Sequence, residues 1–467
     1  MQILVVAGFI VVKVLMPAGI SVPTWALVAG VVCYMAVAYG LTCATREVGL
    51  RRLMGHPAAG RPGKLPVLMA AGTQAYLVVG LAALMLAGWG GLVRAVPQVG
   101  SAPLVGELVA LGPFVAGLLL HWWGIYPLEQ ALRLRFVQEM AMRGESIPRG
   151  WSRRGYVGFQ VRHSLLFVLV PVGAVVFIHD VLALLQQAGV LGQPAAWAAG
   201  AVLGGGVFLL IPAVIVRIWR TRPLPAGLLR DRLEACCRRA GLAYRDIVLW
   251  ETGGVVANAA VMGLVGPVRY ILLSDVLLSH LPLEGVEAVF AHEAGHVAHR
   301  HIAYMVVFTV GLLSLCSAGV EAAAGWLGLP AEHLAVQIPA LAAVAGLWTW
   351  LFGLLSRQFE RQADVFAAAA CTAEAGRPGT LTARGVEVFG EALLTIGRLN
   401  GISPTKRNFR HGSIQSRLDY LTRLAARGMG PAEVDRQVQA IKLALWALLA
   451  AGLAALAAVA ATGGQGG

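Results

Sequence analysis

Nine stretches of this chain are apolar for long enough to cross a lipid bilayer, and that excludes most folds at the outset. A spanning helix needs about 20 mostly apolar residues. The stretches are 2–20, 22–44, 65–93, 103–125, 163–187, 195–217, 302–325, 333–355 and 441–462. Inside lipid every backbone polar group needs an internal partner, so segments of this kind fold as helices. The balance of residues agrees. Hydrophobic residues make up 58% of the 467 and charged residues only 13%, against about 25% charged in soluble proteins. The first stretch is the shortest, carries Lys13 and ends near Pro17-Ala18-Gly19. No positive charge precedes its apolar run, so it reads as a retained span rather than a signal peptide.

The polar connections set an orientation. Arg46, Arg51, Arg52, Arg61 and Lys64 crowd into residues 45–64, and Arg133, Arg135, Arg143, Arg149, Arg153, Arg154 and Arg162 into 126–162. The 94–102 connection holds only Arg94, and 186–195 has no Lys or Arg. Short loops rich in Lys and Arg stay in the cytoplasm, so the N-terminus is expected inside and the C-terminal Gly-Gly-Gln-Gly-Gly tail outside. The same clustering accounts for the net charge of +13 without a nucleic-acid partner. Six cysteines, Cys33, Cys43, Cys236, Cys237, Cys316 and Cys371, form no CxxC pair and read as free thiols, which suits a reducing compartment. The Ala-, Gly- and Arg-heavy composition points to a bacterial source.

The organisation expected is a membrane domain over 1–217 with about six spans, a polar domain over 218–440 interrupted by a transmembrane hairpin at 302–355, and a membrane anchor at 441–467. Two prolines in Arg220-Thr221-Arg222-Pro223-Leu224-Pro225 stop the sixth span from continuing. Beyond them the periodicity changes. Leu228, Leu229, Leu233, Cys236 and Cys237 fall on one face of a helix over 226–240. Asp246–Glu251 and Val255–Leu264 read as strands with a Gly253-Gly254 turn between them, and Tyr270–Leu273 as a third strand. Pro282 opens a helix running to about His301.

That helix holds His292-Glu293-Ala294-Gly295-His296. Histidines four apart on a helix are separated by about 40° around the axis and about 6 Å along it, so both rings reach one metal ion. Glu293 between them projects so that its carboxylate meets a metal-bound water rather than the metal. This HExxH pattern is the zincin signature. His299 lies on the same face, but a catalytic zinc takes three protein ligands and keeps an open position. Three ligands from one straight helix are hard to arrange, so His299 is expected to play a supporting polar role. A third ligand must come from elsewhere. The segment Ser356-Arg357-Gln358-Phe359-Glu360-Arg361-Gln362-Ala363-Asp364 follows a span and so returns to the membrane face that carries HExxH. Glu360 and Asp364 are four apart on one helix face, one suited to bind metal and the other to orient a ligand histidine.

These residues resemble the HtpX and type I CAAX prenyl protease family of integral-membrane zinc metallopeptidases. HEAGH at 292–296 and SRQFERQAD at 356–364 match that family's HExxH and SRxxExxAD. The resemblance covers roughly 225–425. It implies Glu360 as third ligand, with Asp364, Arg357 and Arg417 in supporting positions. Asn258-Ala259-Ala260-Val261-Met262-Gly263 is similar to the family's NAxxxG strand, whose asparagine contributes to the substrate or transition-state site. His411-Gly412-Ser413-Ile414-Gln415-Ser416-Arg417-Leu418 is similar to HPxxxxRI, whose histidine stabilises the oxyanion, although glycine here follows His411 in place of proline.

The expected molecule is a mainly α-helical polytopic membrane protein of about nine spans, with a small α+β zincin-like catalytic region at the cytoplasmic face. Its expected activity is endopeptidase cleavage of membrane-associated proteins or peptides, with one Zn2+ per chain and Glu293 activating the water. Processing of lipidated C-terminal peptides is the nearest alternative. A catalytically inactive scaffold, or a transporter using His121, His179 and Asp180, is the alternative of another class.

Overall fold

The computed structural model describes residues 2–16, 22–55, 64–142, 150–331, 333–371 and 381–463. The Pro17-Ala18-Gly19 segment, Arg61, Arg143, Arg149, residues 372–380 and the last four residues of the glycine-rich tail lie outside the described residues. The chain divides into two compact units, Met1–Thr221 with Glu251–Val255, and Arg222–Trp250 with Val256–Gly467.

The first unit is helical. Its long helices are Thr24–Gly55, Lys64–Leu86, Gly112–Met142, Phe167–Gln187 and Gln193–Ile218. The first four of these close on a core that includes Val5, Phe9, Leu77, Leu81, Phe114 and Trp122. Outward-facing apolar residues such as Trp25, Val79 and Trp197 stay exposed, as a lipid-facing surface requires.

Among the described residues, seven helices are long and apolar enough to cross a membrane: Thr24–Gly55, Lys64–Leu86, Arg153–Gln187, Gln193–Ile218, His301–Leu327, Ala335–Ala370 and Pro431–Val459. Two of the nine expected spans therefore take a different form. The first is a helix of 14 residues, Gln2–Leu15, which at 1.5 Å per residue falls short of the roughly 30 Å apolar thickness of a bilayer. Residues 103–125 break into a short helix Val105–Ala110 and the start of Gly112–Met142. The break begins at Leu104, whose φ of +66° is left-handed.

The residues weighed as a transport path have local partners. Asp180 pairs with Lys13 at 3.2 Å, and Lys13 with Glu107 at 2.7 Å. Asp180 also accepts from the Leu104 N–H at 3.0 Å. His121 Nδ1 lies 2.9 Å from the Thr42 hydroxyl.

The second unit carries the small sheet. Its strands are β1 (Thr221–Pro223), β2 (Asp246–Trp250), β3 (Ala259–Met262) and β4 (Tyr270–Ser274), in the order β1-β2-β4-β3. β2 runs parallel to β4 from Asp246↔Tyr270 to Trp250↔Ser274, and β3 runs antiparallel to β4 from Ala259↔Leu273 to Met262↔Tyr270. Gly253 and Gly254 do turn the chain, with φ of +70° and +80°. The strands on either side are nevertheless not a hairpin, because β4 inserts between them. β3 is also shorter than the 255–264 expected, and it is left as an edge strand.

The helices of this unit are α1 (Leu228–Arg239), α2 (Asp275–His280), α3 (Leu283–Ala298), α4 (His301–Leu327), α5 (Leu334–Ala370), α6 (Ala383–Leu399), α7 (Ile414–Ala426) and α8 (Pro431–Gly463). α8 continues from the polar region straight into the expected anchor. α3 begins directly after Pro282, which occupies the N-cap in extended conformation, and Glu284 sits in the first turn, where the helix dipole favours an acid. α3 ends earlier than expected. Arg300 takes a left-handed φ of +57°, so His301 starts α4 and the chain changes direction between His299 and His301.

Candidate active site

α3 and α5 carry the metal-ligand candidates, and their close approach is set by a glycine. A Cβ added at Gly295 would sit 3.2 Å from Ala363 Cα and 3.2 Å from Phe366 Cδ1. The residue before His296 is thus the smallest possible, Gly295, where the two helices touch. His292, His296 and Glu360 each bring one ligand atom to within 4.8 Å of the others. Nε2 of His292 and of His296 are 3.2 Å apart, and each lies 3.6 Å from a Glu360 oxygen. Two imidazoles and a carboxylate from two helices are a donor set that could hold a metal ion such as zinc.

The surrounding groups neutralise and orient this cluster. Asp364, fully buried, places Oδ1 3.0 Å from His292 Nδ1. Arg417 on α7 grips Asp364 with two hydrogen bonds, Nε to Oδ2 at 2.8 Å and Nη2 to Oδ1, and its Nη2 also reaches Glu360 at 3.6 Å. A buried carboxylate pair needs such a partner. Burial disfavours charge on Arg417, but the carboxylates of Asp364 and Glu360 outweigh it and hold the guanidinium firmly protonated.

α7 starts where the chain places Arg417. Ser413 caps it by accepting from the Ser416 N–H at 3.2 Å, and Ser416 answers with a bond from the Ser413 N–H, a reciprocal capping box. Just before it, Asn408 and Gly412 exchange backbone hydrogen bonds of 2.9 Å each way. His411 stands on this tight loop, with Nδ1 2.9 Å from Glu360 Oε1. Gly412 has φ +74° and donates its N–H to Asn408. Proline can do neither, which explains why glycine follows His411 here. Arg357 supports the loop from α5 by donating to the Phe409 carbonyl at 2.7 Å.

Glu293 keeps part of its surface open, yet enough atoms crowd its carboxyl that burial pushes it up to about 7. The Val261 N–H of β3 donates to it and opposes that rise. Burial pushes His296 down to about 3, so its ring is neutral, as a metal ligand must be. Burial also works against charge on His292, but the Asp364 and Glu360 carboxylates prevail and raise it to about 10. A site that holds a proton so tightly between acids is one where a divalent cation can replace it.

Asn258 lies just before β3, exposed, and its backbone is pinned to Ser274: its N–H donates to Ser274 Oγ at 2.9 Å and its carbonyl accepts from Ser274 N–H at 3.0 Å. Its side chain projects from the start of the edge strand rather than being bound into the cluster. His299 caps the C-terminus of α3. The ring in contact with His296 is that of His301, Nδ1 to Nδ1 at 2.8 Å, and His299 stacks on His301 one step further out, with centroids 5.8 Å apart. Sequence reasoning passed over His301 because five residues on a straight helix amount to about 140° of rotation, away from the metal face. The left-handed turn at Arg300 restores it. Gln362 and Asp435, which extend the contact beyond His301, carried no signal of their own.

Residues 223–395 match the model of peptidase family M48. Over 187 residues the chain is 29% identical to a protease HtpX homolog of Aeropyrum pernix, a match that takes in 37% of this chain and 56% of that protein. The chain thus spans little more than half the length of that relative. Its fold is similar to that of Ste24p of S. mikatae, with a TM-score of 0.51 at 15% identity, over 83% of this chain and 98% of the other. At that identity the likeness is one of fold, and it reaches beyond the residues matched by the peptidase model into the membrane helices.

Proposed function

We propose that this chain is a membrane metallopeptidase of the HtpX and CAAX prenyl protease family, a zinc-dependent endopeptidase that cleaves membrane-associated proteins or peptides, with His292, His296 and Glu360 as ligands of one zinc ion per chain. The observation that carries this reading is the convergence of those three ligand atoms within 4.8 Å, beside a glutamate whose carboxyl is raised to about 7.

Zinc bound there would supply a Lewis acid for the scissile carbonyl and a water that ionises near neutral pH. The remaining steps belong to side chains. Glu293 takes a proton from the attacking water and hands it to the leaving amine, a task suited to a carboxyl that titrates near the working pH. His411, on the loop braced by Arg357, and Asn258 offer N–H donors for the negative charge that develops on the carbonyl oxygen. Asp364 and Arg417 hold His292 and Glu360 in register. β3, open along one edge, suits an extended peptide that adds to the sheet by backbone hydrogen bonds.

The site adjoins the membrane. His292 and His296 lie just ahead of the apolar part of α4, and Glu360 lies just after the apolar part of α5. Both flank the same end of one transmembrane hairpin. We read that end as cytoplasmic from the positive-inside pattern of the Arg-rich connections, and a bacterial cytoplasmic membrane is the setting this composition favours. Substrates would enter from the lipid boundary, which fits quality control of membrane proteins. The resemblance of the 292–296 and 356–364 motifs to the prenyl protease branch makes a lipidated C-terminal peptide the second substrate to assay.

The test compares the wild type with Glu293→Gln in detergent, by zinc content and by cleavage of a casein-type substrate and of a prenylated peptide. About one zinc per chain in both proteins, with cleavage lost only in the variant, is the expected result. A wild type that takes up no zinc after metal loading refutes the reading. Cleavage of one substrate and not the other decides the substrate class.

A further inference from the structure

Behind His296 a line of hydrogen bonds runs to the C-terminal membrane helix. His296 Nδ1 is 2.8 Å from His301 Nδ1. His301 Nε2 is 2.8 Å from Gln362 Oε1. Gln362 in turn donates through Nε2 to Asp435 Oδ1 at 2.6 Å. His301 and Gln362 are only 2% and 3% exposed. Asp435, near the start of α8, keeps 43% of its side chain in solvent. The His301 ring is stacked on Phe359, with centroids 4.3 Å apart and planes 6° from parallel, so its two nitrogens cannot swing away from these partners.

The chemistry of each group fixes the direction of every bond in the line. A carboxylate only accepts. Asp435 therefore requires the amide nitrogen of Gln362 as its donor and turns Oε1 towards His301. An amide oxygen also only accepts, so the proton of His301 sits on Nε2. With one proton per imidazole, His301 Nδ1 is an acceptor, and the donor opposite it is His296 Nδ1. His296 then leaves the lone pair of Nε2 bare, on the side that faces His292 Nε2 at 3.2 Å and Glu360 at 3.6 Å.

We propose that Asp435, acting through Gln362 and His301, sets the tautomer of His296 and with it that ligand's capacity to bind metal. The three are positioning residues, and the inference rests on the zinc site proposed above. The two histidines proposed as ligands thus stand against different carboxylates. Asp364 stands 3.0 Å from His292 Nδ1, whereas Asp435 reaches His296 across two intervening side chains. The second arrangement ties one zinc ligand to a membrane helix far along the chain. α8 is also joined to the end of α3 by Lys442, which donates to the His299 carbonyl at 3.0 Å, and Asp435 Oδ1 lies 3.8 Å from His299 Nε2. A shift of α8 therefore loosens His296 while leaving the Asp364 support of His292 in place.

The experiment is chelator-competition measurement of zinc affinity on the full-length protein in detergent. Asp435→Lys presents a donor in place of an acceptor, reverses the Gln362 amide and puts the His296 proton on Nε2. The expected loss is roughly 10- to 100-fold in zinc affinity, the usual scale for groups that orient a ligand. Adding Gln362→Glu to Asp435→Lys restores an acceptor facing His301 and returns the affinity to near the wild-type value, which a general loss of folding would not allow. Equal affinity in the wild type and Asp435→Lys overturns the relay, as does a double variant that binds no more tightly than Asp435→Lys alone. Failure of the wild type itself to bind zinc is a separate result, which refutes the metal site and the relay with it.

Discussion

Gly295→Ala is the smallest change that separates the geometry of the proposed zinc site from its chemistry. The added methyl would meet Ala363 Cα at 3.2 Å and the Phe366 side chain at 3.2–3.3 Å. Those contacts are tighter than ordinary packing by a few tenths of an ångström, and the backbone atom among them cannot turn aside. Overpacking of this kind costs about 1–3 kcal/mol. Alanine returns about 1 kcal/mol through its better helix propensity, so the net loss of stability in the metal-free protein is about 0–2 kcal/mol. The strain is relieved by parting α3 from α5, and that movement draws His292 and His296 away from Glu360. Ligand distances in a zinc site tolerate only about 0.2 Å. If 1–2 kcal/mol of the strain is expressed at the metal, zinc affinity falls about 5- to 30-fold. Gly319→Ala in α4 is the control, because a Cβ there meets nothing within 4 Å. Zinc titration against a chelator, with melting of the metal-free proteins alongside, reads both quantities. A Gly295→Ala protein that binds zinc as tightly as Gly319→Ala refutes the argument that this helix contact sets the ligand geometry.

Other predictions follow from the same cluster. Glu293 sits at about 7 in the folded metal-free protein against an ordinary 4.5. Between those values the native state holds a proton that the unfolded chain has released, so stability falls as pH rises from about 4.5 to 7 and levels off above. Glu293→Gln removes that component, and parallel stability–pH curves for the two proteins would contradict it. Arg417→Met strips the buried Asp364 of its partner and should cost about 3–5 kcal/mol, read as a lower melting temperature. Adding Asp364→Asn should recover part of the loss, and no recovery would mean that the charge pairing is not the cause. Gly412→Pro removes a left-handed residue and the N–H that closes the Asn408 loop. Cleavage should drop by about 100-fold through misplacement of His411 with zinc content unchanged, and full activity would show that the loop's conformation does not matter to catalysis.

The membrane class and the HExxH helix were legible because each rests on local rules. A run of apolar residues has few places to go, and an interval of four residues means the same thing on any straight helix. The helix over 228–239 and strands at 246–250 and 270–274 came through for the same reason. Chain length in the membrane was less legible. Gln2–Leu15 is apolar, but the left-handed Leu104 and the shortness of the first helix are matters of where the backbone bends rather than of hydropathy. The strand order failed in the same way, since β4 takes the place beside β2 that adjacency in sequence would have given to β3.

What the amino-acid order settles by itself, then, is what a single helix turn or a single apolar run can express: membrane-spanning segments, the His292–His296 pair, and a carboxylate pair four residues apart at 360 and 364. Tertiary structure alone decides how those pieces meet. The contact at Gly295 brings α3 onto α5, the left-handed turn at Arg300 swings His301 against His296, and Gly412 curls the loop that sets His411 beside Glu360. Asp435 joins the cluster from 143 residues beyond His292, a separation read directly from the numbering. No periodicity extends so far, because side chains on different helices interact through packing distances of a few ångströms, and those are properties of the folded backbone.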